Sequence, residues 1–285
     1  MIFVSSSCIK ARRIKDAVLK LAQNGFQNIE LSGGTDYSPG FEDDLQKLKS
    51  EYDLNYQIHN YFPPPQKHFV LNLASPNKSI HTITLNHCKK AIELAERLGI
   101  DKYGIHAGFL MDPVVKELGK PISNNRFCDR NEALDIFYEA YKAIKSHSSK
   151  VEVFIENNVV SEKNFLTFGM NPFLLTDFDS WLELKQYIEF PLLLDLAHLK
   201  VSCTTLRRDF QSDAKKLLAV SEYLHLSDNN GKEDANENLL ADSDILKILQ
   251  GHDLDKKTIT LEIYKDLNSI KESECFLKKR ITQGE

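Results

Sequence analysis

Short apolar runs alternate with longer stretches whose apolar positions recur at helical spacing, and this rhythm continues along the whole chain. Strand 1 is predicted at Ile2 to Ser5. Ile14, Ala17, Val18, Leu21 and Ala22 then make one face of a helix over Ile14 to Asn24, which Gly25 stops. The same alternation puts strands at Asn28–Leu31, Asn55–His59, Lys102–His106, Val151–Ile155, Leu192–Leu194, Tyr223–Leu226 and Thr258–Leu261. Helices are predicted at Phe41–Tyr52, Ser79–Leu98, Asn131–Ile144, around Trp181–Ile188, Leu206–Ser221, Ser243–Leu249 and Ser269–Lys279. The segment from Ala107 to about Cys128 and that from Val159 to Thr176 read as long irregular loops, and Ser227 to Asn238 as a polar one.

Runs such as Leu192-Leu193-Leu194 suit strands buried on both faces, as in parallel sheets. Eight strands alternating with eight helices favour a closed α/β barrel, a single (β/α)8 TIM barrel, over an open doubly wound sheet. The chain of 285 residues is the right size for one such domain spanning 1–285, and no Pro/Gly/Ser-rich tract suggests a linker.

The ends of the strands carry the chemistry. His59, His106, Glu156, Asp195 with His198, His225 and Glu262 are each the first or second polar residue after an apolar run. Singly, each has an ordinary structural explanation; Asp195, for example, can cap the segment after it. Closing a barrel brings the carboxyl ends of all strands around one opening, where active sites of this fold lie. Three carboxylates and an imidazole converging there repel one another unless a cation is present. Glu156, Asp195, His225 and Glu262 offer three oxygen donors, one nitrogen and no thiolate. That set suits Mn²⁺ or Mg²⁺, admits Co²⁺ and does not exclude Zn²⁺.

Composition narrows the partners. A formal net charge of −5 tilts against a sequence-independent grip on nucleic-acid phosphates. Five widely spaced cysteines, Cys8, Cys88, Cys128, Cys203 and Cys275, contain no CxxC pair, which argues against a disulfide framework and fits a reducing cytoplasm. The first residues lack the long apolar region of a signal peptide, and no later stretch approaches a membrane span. A cytoplasmic protein is expected, with assembly into a homo-oligomer left open. Weaker signals are Lys200, Arg207 and Arg208, which could meet a phosphate or carboxylate, and Tyr61-Phe62, which could form a substrate wall. Phe178, Trp181 and Cys203 read as packing residues.

The motifs IENN at 155–158, LLDLAH at 193–198, YLHLSDNNGK at 223–232 and LEIY at 261–264, with the IHN and IHAG turns, resemble the xylose isomerase-like barrel superfamily, in particular its sugar-phosphate isomerase/epimerase branch. The resemblance implies that Glu156, Asp195, His225 and Glu262 bind one divalent metal. It implies that Glu156 and Glu262 are the acid/base pair that moves a proton next to a carbonyl through an enediolate. It also implies that His198 hydrogen-bonds a carbohydrate substrate, with His59 and His106 lining the same mouth. The superfamily also holds endonuclease IV-type abasic-site nucleases, in which the positions of His59, His106 and His198 bind additional metal. Those nucleases carry an Asp-x-His pair after strand 7, whereas the loop here reads SDNNGKEDANENLL, with no histidine before His252. An inosose-type dehydratase and a non-catalytic sugar-binding barrel are the remaining alternatives.

Overall fold

The computed structural model describes residues 1–117, 122–123 and 126–282. Eight parallel strands close into a barrel in sequence order: β1 (Ile2–Ser5), β2 (Asn28–Leu31), β3 (Asn55–His59), β4 (Lys102–His106), β5 (Glu152–Glu156), β6 (Leu192–Asp195), β7 (Ser221–Leu226) and β8 (Thr258–Leu261). β8 pairs with β1 through Ile2–Ile259, Phe3–Thr260 and Val4–Leu261, which closes the ring. Around it lie α1 (Ile14–Gln23), α2 (Phe41–Tyr52), α3 (Lys78–Leu98), α4 (Arg130–Lys145), α5 (Glu162–Phe168), α6 (Phe178–Tyr187), α7 (Leu196–Leu206), α8 (Phe210–Leu218), α9 (Asp244–Leu249) and α10 (Leu267–Thr282). None of these helices is long and apolar enough to cross a membrane.

Period-two alternation divides each strand between two environments. Ile29, Ile58, Ile105, Val153, Ile155, Leu194, Leu224 and Ile259 belong to the main apolar core with residues of the helices. The alternate residues fill the barrel: Phe154, Leu193 and Tyr223 form a separate fully buried cluster, with the Phe154 and Tyr223 rings edge to face at 5.5 Å. Moving two residues on along those strands leads to Glu156, Asp195 and His225, so a polar layer rests on an apolar plug. Between Leu192 and Leu193 the β6–β7 register shifts by one residue, after which Asp195 stands opposite His225. Gly104 leaves room for this layer: a Cβ there would come within 2.6 Å of Leu193 Cδ1 and 3.1 Å of His59 Cδ2.

Ten α-helices stand among the described residues where the hydrophobic pattern suggests eight, and two expectations need correction. A helix follows β6 immediately, over Leu196–Leu206, and a second one covers Phe210–Leu218; one helix from Leu206 to Ser221 is not formed. The physical reason is Asp195, whose side chain accepts the His198 amide at 2.8 Å and so starts α7 where the strand stops. The apolar LLLDLAHLKV run hides that boundary. Likewise Val159 to Thr176 is not wholly irregular: Ser161 caps α5 and Gly169 ends it in the left-handed conformation. Of the loop after β4, residues 118–121 and 124–125 lie outside the described residues.

Candidate metal centre

All seven strand-end residues singled out from the sequence meet at the carboxyl end of the barrel. Glu156, Asp195 and His225 are at most 1% exposed, and Glu262 is 8% exposed. His225 Nδ1 lies 3.2 Å from Glu156 Oε1 and 3.5 Å from Glu262 Oε2, without hydrogen-bond geometry to either. Glu156 Oε1, Asp195 Oδ2 and His225 Nδ1 are fully buried and have no hydrogen-bond partner. Asp195, His225 and Glu262 each present a ligand atom within 4.8 Å of the others, and Glu156 and Asp195 do the same with His198. Orphaned buried polar atoms of this kind are costly. A hard divalent cation among them would supply the missing partners, so the residues present fit the metal that the donor set implies.

The charges support the same fit. Burial pushes the Asp195 carboxyl up to about 7, with the His198 imidazole opposing it. Burial also disfavours ionised Glu156, yet His106, His59 and His225 outweigh it and hold Glu156 well below the usual carboxylate range. For the His225 imidazole, burial lowers the pKa and the Glu30 and Glu156 carboxylates overcome it, holding it well above the ordinary value. Glu262 falls to about 2: His225 outweighs the burial that works in the other direction. In this layer histidine charge favours each ionised acid, a role that a bound cation would share.

Each carboxylate is positioned by its own partners. Glu156 Oε2 is 2.6 Å from His59 Nε2 and 3.2 Å from His106 Nε2, while His59 Nδ1 meets Ser32 Oγ at 3.2 Å. Glu262 Oε1 accepts from Ser7 Oγ at 3.0 Å and from the Tyr264 hydroxyl at 2.9 Å. His198 donates from Nδ1 to the Asn157 carbonyl at 2.9 Å and sets Nε2 3.2 Å from Asp234 Oδ2. The two asparagines of the IENN motif act as braces. Asn157 accepts the Asp195 amide at 2.7 Å and donates to the Asp195 carbonyl at 3.0 Å. Asn158 donates to the carbonyls of Ala107 at 2.8 Å and Leu174 at 2.9 Å.

Above the polar layer opens a cavity of about 1440 Å³. His59, His106, His198, Tyr61, Glu262 and Tyr264 are among its lining residues, whereas Phe62 is fully buried behind it. Lys200 and Arg208 do not border it. Their charges are held by Asp228 at 2.7 Å and by Asp213 and Asp179 at 2.7 and 2.6 Å. Phe178 and Trp181 stack on each other at 5.6 Å, and Cys203 is buried, as packing residues should be.

Two site residues escape sequence reasoning. Asp234 is one of several acids in the polar loop after β7, and only folding shows which one turns to His198. Glu30 lies inside β2, completely buried, and its Oε2 accepts from His225 Nε2 at 2.9 Å, from Thr260 Oγ1 at 3.0 Å and from the Tyr223 hydroxyl. An acid in the middle of an apolar strand is the available signal.

Comparison with known proteins agrees with this architecture. The family model for xylose isomerase-like TIM barrels matches residues 18–279. The chain belongs to that family. Among solved structures, this xylose isomerase-like barrel is similar to a D-tagatose 3-epimerase-like protein, at 20% identity and a TM-score of 0.73 over 99% of this chain and 97% of that one. It is similar to D-psicose 3-epimerase determined in the presence of D-fructose, at 12% identity and a TM-score of 0.67 over 100% and 99%. It is also similar to a Thermus thermophilus protein soaked with ZnCl2, at 20% identity and a TM-score of 0.65 over 100% and 99%. No curated protein matches the sequence.

Proposed function

We propose that this xylose isomerase-like barrel is a divalent-metal-dependent isomerase or epimerase of a ketose or a ketose derivative. The observation that carries the proposal is that Glu156 Oε1, Asp195 Oδ2 and His225 Nδ1 are buried and unpartnered directly against His59, His198 and Glu262, which line an open cavity. The epimerases among the structural neighbours support the choice of substrate class. With Glu262, these residues would hold one Mn²⁺ or Mg²⁺, or Co²⁺ or Zn²⁺ in their place. When bound, the cation supplies Lewis-acid polarisation of a carbonyl and stabilises negative charge on the neighbouring oxygens.

The protein side of the chemistry follows from how the two glutamates are held. One carboxylate of the Glu156/Glu262 pair takes the proton from the carbon beside the carbonyl, leaving an enediolate, and the other returns a proton to complete the exchange. Their partners keep both in place: imidazoles on Glu156, hydroxyls on Glu262. His198, braced at Nδ1 by the Asn157 carbonyl, carries Nε2 beside Asp234 at 3.2 Å, so that a substrate oxygen would meet the imidazole and this carboxylate together, and His59 and His106 border the same space. The test is to load the purified protein with Mn²⁺ or Co²⁺ and incubate it with a ketose panel in heavy water. Deuterium at the carbon beside the carbonyl is expected. No label with any ketose from a metal-loaded sample would overturn the proposal.

A second reading, a multi-metal phosphodiesterase acting on abasic DNA, is favoured by one specific observation. His59, His106 and Glu156 form a further group with ligand atoms within 4.8 Å of one another, and Asp234 stands beside His198. The residue two positions after Asp234 is Asn236, where a histidine would complete the nuclease pair. Metal analysis separates the readings: one ion per chain supports the isomerase, whereas two or more with cleavage of an abasic-site oligonucleotide support the nuclease.

A further inference from the structure

Glu30 is a carboxylate with no access to substrate, and it reaches the candidate centre from across the barrel. β2 and β7 are not neighbours in the sheet, so the contact between Glu30 and His225 passes through the interior. All three donors to Glu30, from Tyr223, His225 and Thr260, converge on Oε2, while Oε1 is buried without a hydrogen bond, 3.9 Å from His59 Nδ1. Glu30, Tyr223, Thr260 and His225 are all completely buried.

An imidazole can bind a metal only through a nitrogen that carries no proton, and the bond made by the other nitrogen decides which one that is. His225 has Nε2 against Glu30 and Nδ1 toward Glu156 and Glu262. Resting on the cation site proposed above, we infer that Glu30 is a positioning residue: it retains the Nε2 proton of His225 and thereby reserves Nδ1 for the cation. It touches neither substrate nor cation and acts through His225 alone. With a cation held at Nδ1, the Nε2 proton stays on its bond to Glu30. Partners of this kind typically tune metal affinity by about 10–100-fold. The competing placement is a cation held by Glu30, His59 and His225, whose ligand atoms also lie within 4.8 Å of one another, and the nitrogen of His225 that carries the metal separates the two.

The test uses the full chain and the metal alone. Co²⁺ affinity is measured for the wild type, for Glu30→Gln and, as a control for the site itself, for Asp195→Asn. Glu30→Gln should bind Co²⁺ about 10–100-fold more weakly. Tyr223→Phe, which removes a donor from the same carboxylate but leaves the His225 contact, serves as the comparison for a purely structural defect and should lose less than Glu30→Gln. A second measurement needs no variant at Glu30. In Zn²⁺-loaded protein labelled with ¹⁵N-histidine, the His225 signal, assigned by its loss in His225→Asn, should show a slowly exchanging proton on Nε2 and the metal on Nδ1. Metal on Nε2, or equal affinity in wild type and Glu30→Gln, overturns the role of Glu30 while leaving the metal site standing. Failure of the wild type to bind Co²⁺ above the Asp195→Asn background overturns the site and the role together.

Discussion

Glu156 is gripped by imidazoles and Glu262 by hydroxyls, and substitutions at the two grips should have different outcomes. On the proposed function, Glu156→Gln removes a proton-transfer group and a metal ligand together. It should lower kcat on a ketose substrate by at least about 10²–10⁴-fold and abolish deuterium uptake from heavy water. Ser7→Ala removes one of two hydroxyls from Glu262 Oε1 while the Tyr264 hydroxyl remains, so kcat should fall, by no more than about tenfold, with metal content unchanged. Away from the centre, His87 sits buried against the Asn60 carbonyl and the Phe69 ring, and burial lowers its pKa to about 4. The folded chain therefore resists a proton that the unfolded chain accepts below about 6.5. Stability from this group is complete above that pH and is lost as the pH falls toward 4, by about 2 kcal/mol at pH 5. Denaturant unfolding at pH 7.5 and pH 5 should show this loss in the wild type and a smaller one in His87→Gln.

At the scale of elements, Asp195 does two jobs at one junction. Its Oδ1 caps α7 through the His198 amide, and its Oδ2 faces the candidate cation site. Asparagine is as good a cap as aspartate, whereas alanine is not. Asp195→Asn should therefore lose metal binding while keeping the cap of α7, and Asp195→Ala should lose both, with a further cost of about 1 kcal/mol in denaturant unfolding. The same junction shows where sequence legibility stops. The first polar residue after each apolar run marks the carboxyl end of a strand, so Glu156, Asp195, His225 and Glu262 can be read along the chain. The onset of α7 cannot, because Leu196, Ala197 and Leu199 continue the apolar run and only the cap separates strand from helix. Glu30 is missed for a different reason. Its partners lie on β7 and β8, about 190 to 230 residues away, and no local pattern encodes a contact across a barrel. Asp234 shares its loop with Asp228, Glu233 and Glu237, and a polar loop carries no period by which one acid could be preferred.

For the molecule as a whole, the candidate centre draws ligands from β5, β6, β7 and from the residue just after β8, so cation binding fastens half of the ring. A ligand present at 100 times its Kd adds about 2.7 kcal/mol to the folded state. For a chain of 285 residues that amounts to roughly 5 °C in melting temperature. Thermal unfolding with saturating Mn²⁺ should show this rise, EDTA should reverse it, and Asp195→Asn should not display it. A rise of the same size in Asp195→Asn would place the bound ion elsewhere.

The meeting of β8 with β1 also sets the order of events during synthesis. Glu262 is held by Ser7, a residue translated some 255 positions earlier, and the main-chain carbonyl of Met1 receives the amide of Ile259 at 3.0 Å. A nascent chain halted before Thr258 has seven strands, an open seam and no Glu262. A cation held by Glu156, Asp195, His225 and Glu262 together would therefore be captured only after Glu262 has been made and β8 has closed on β1.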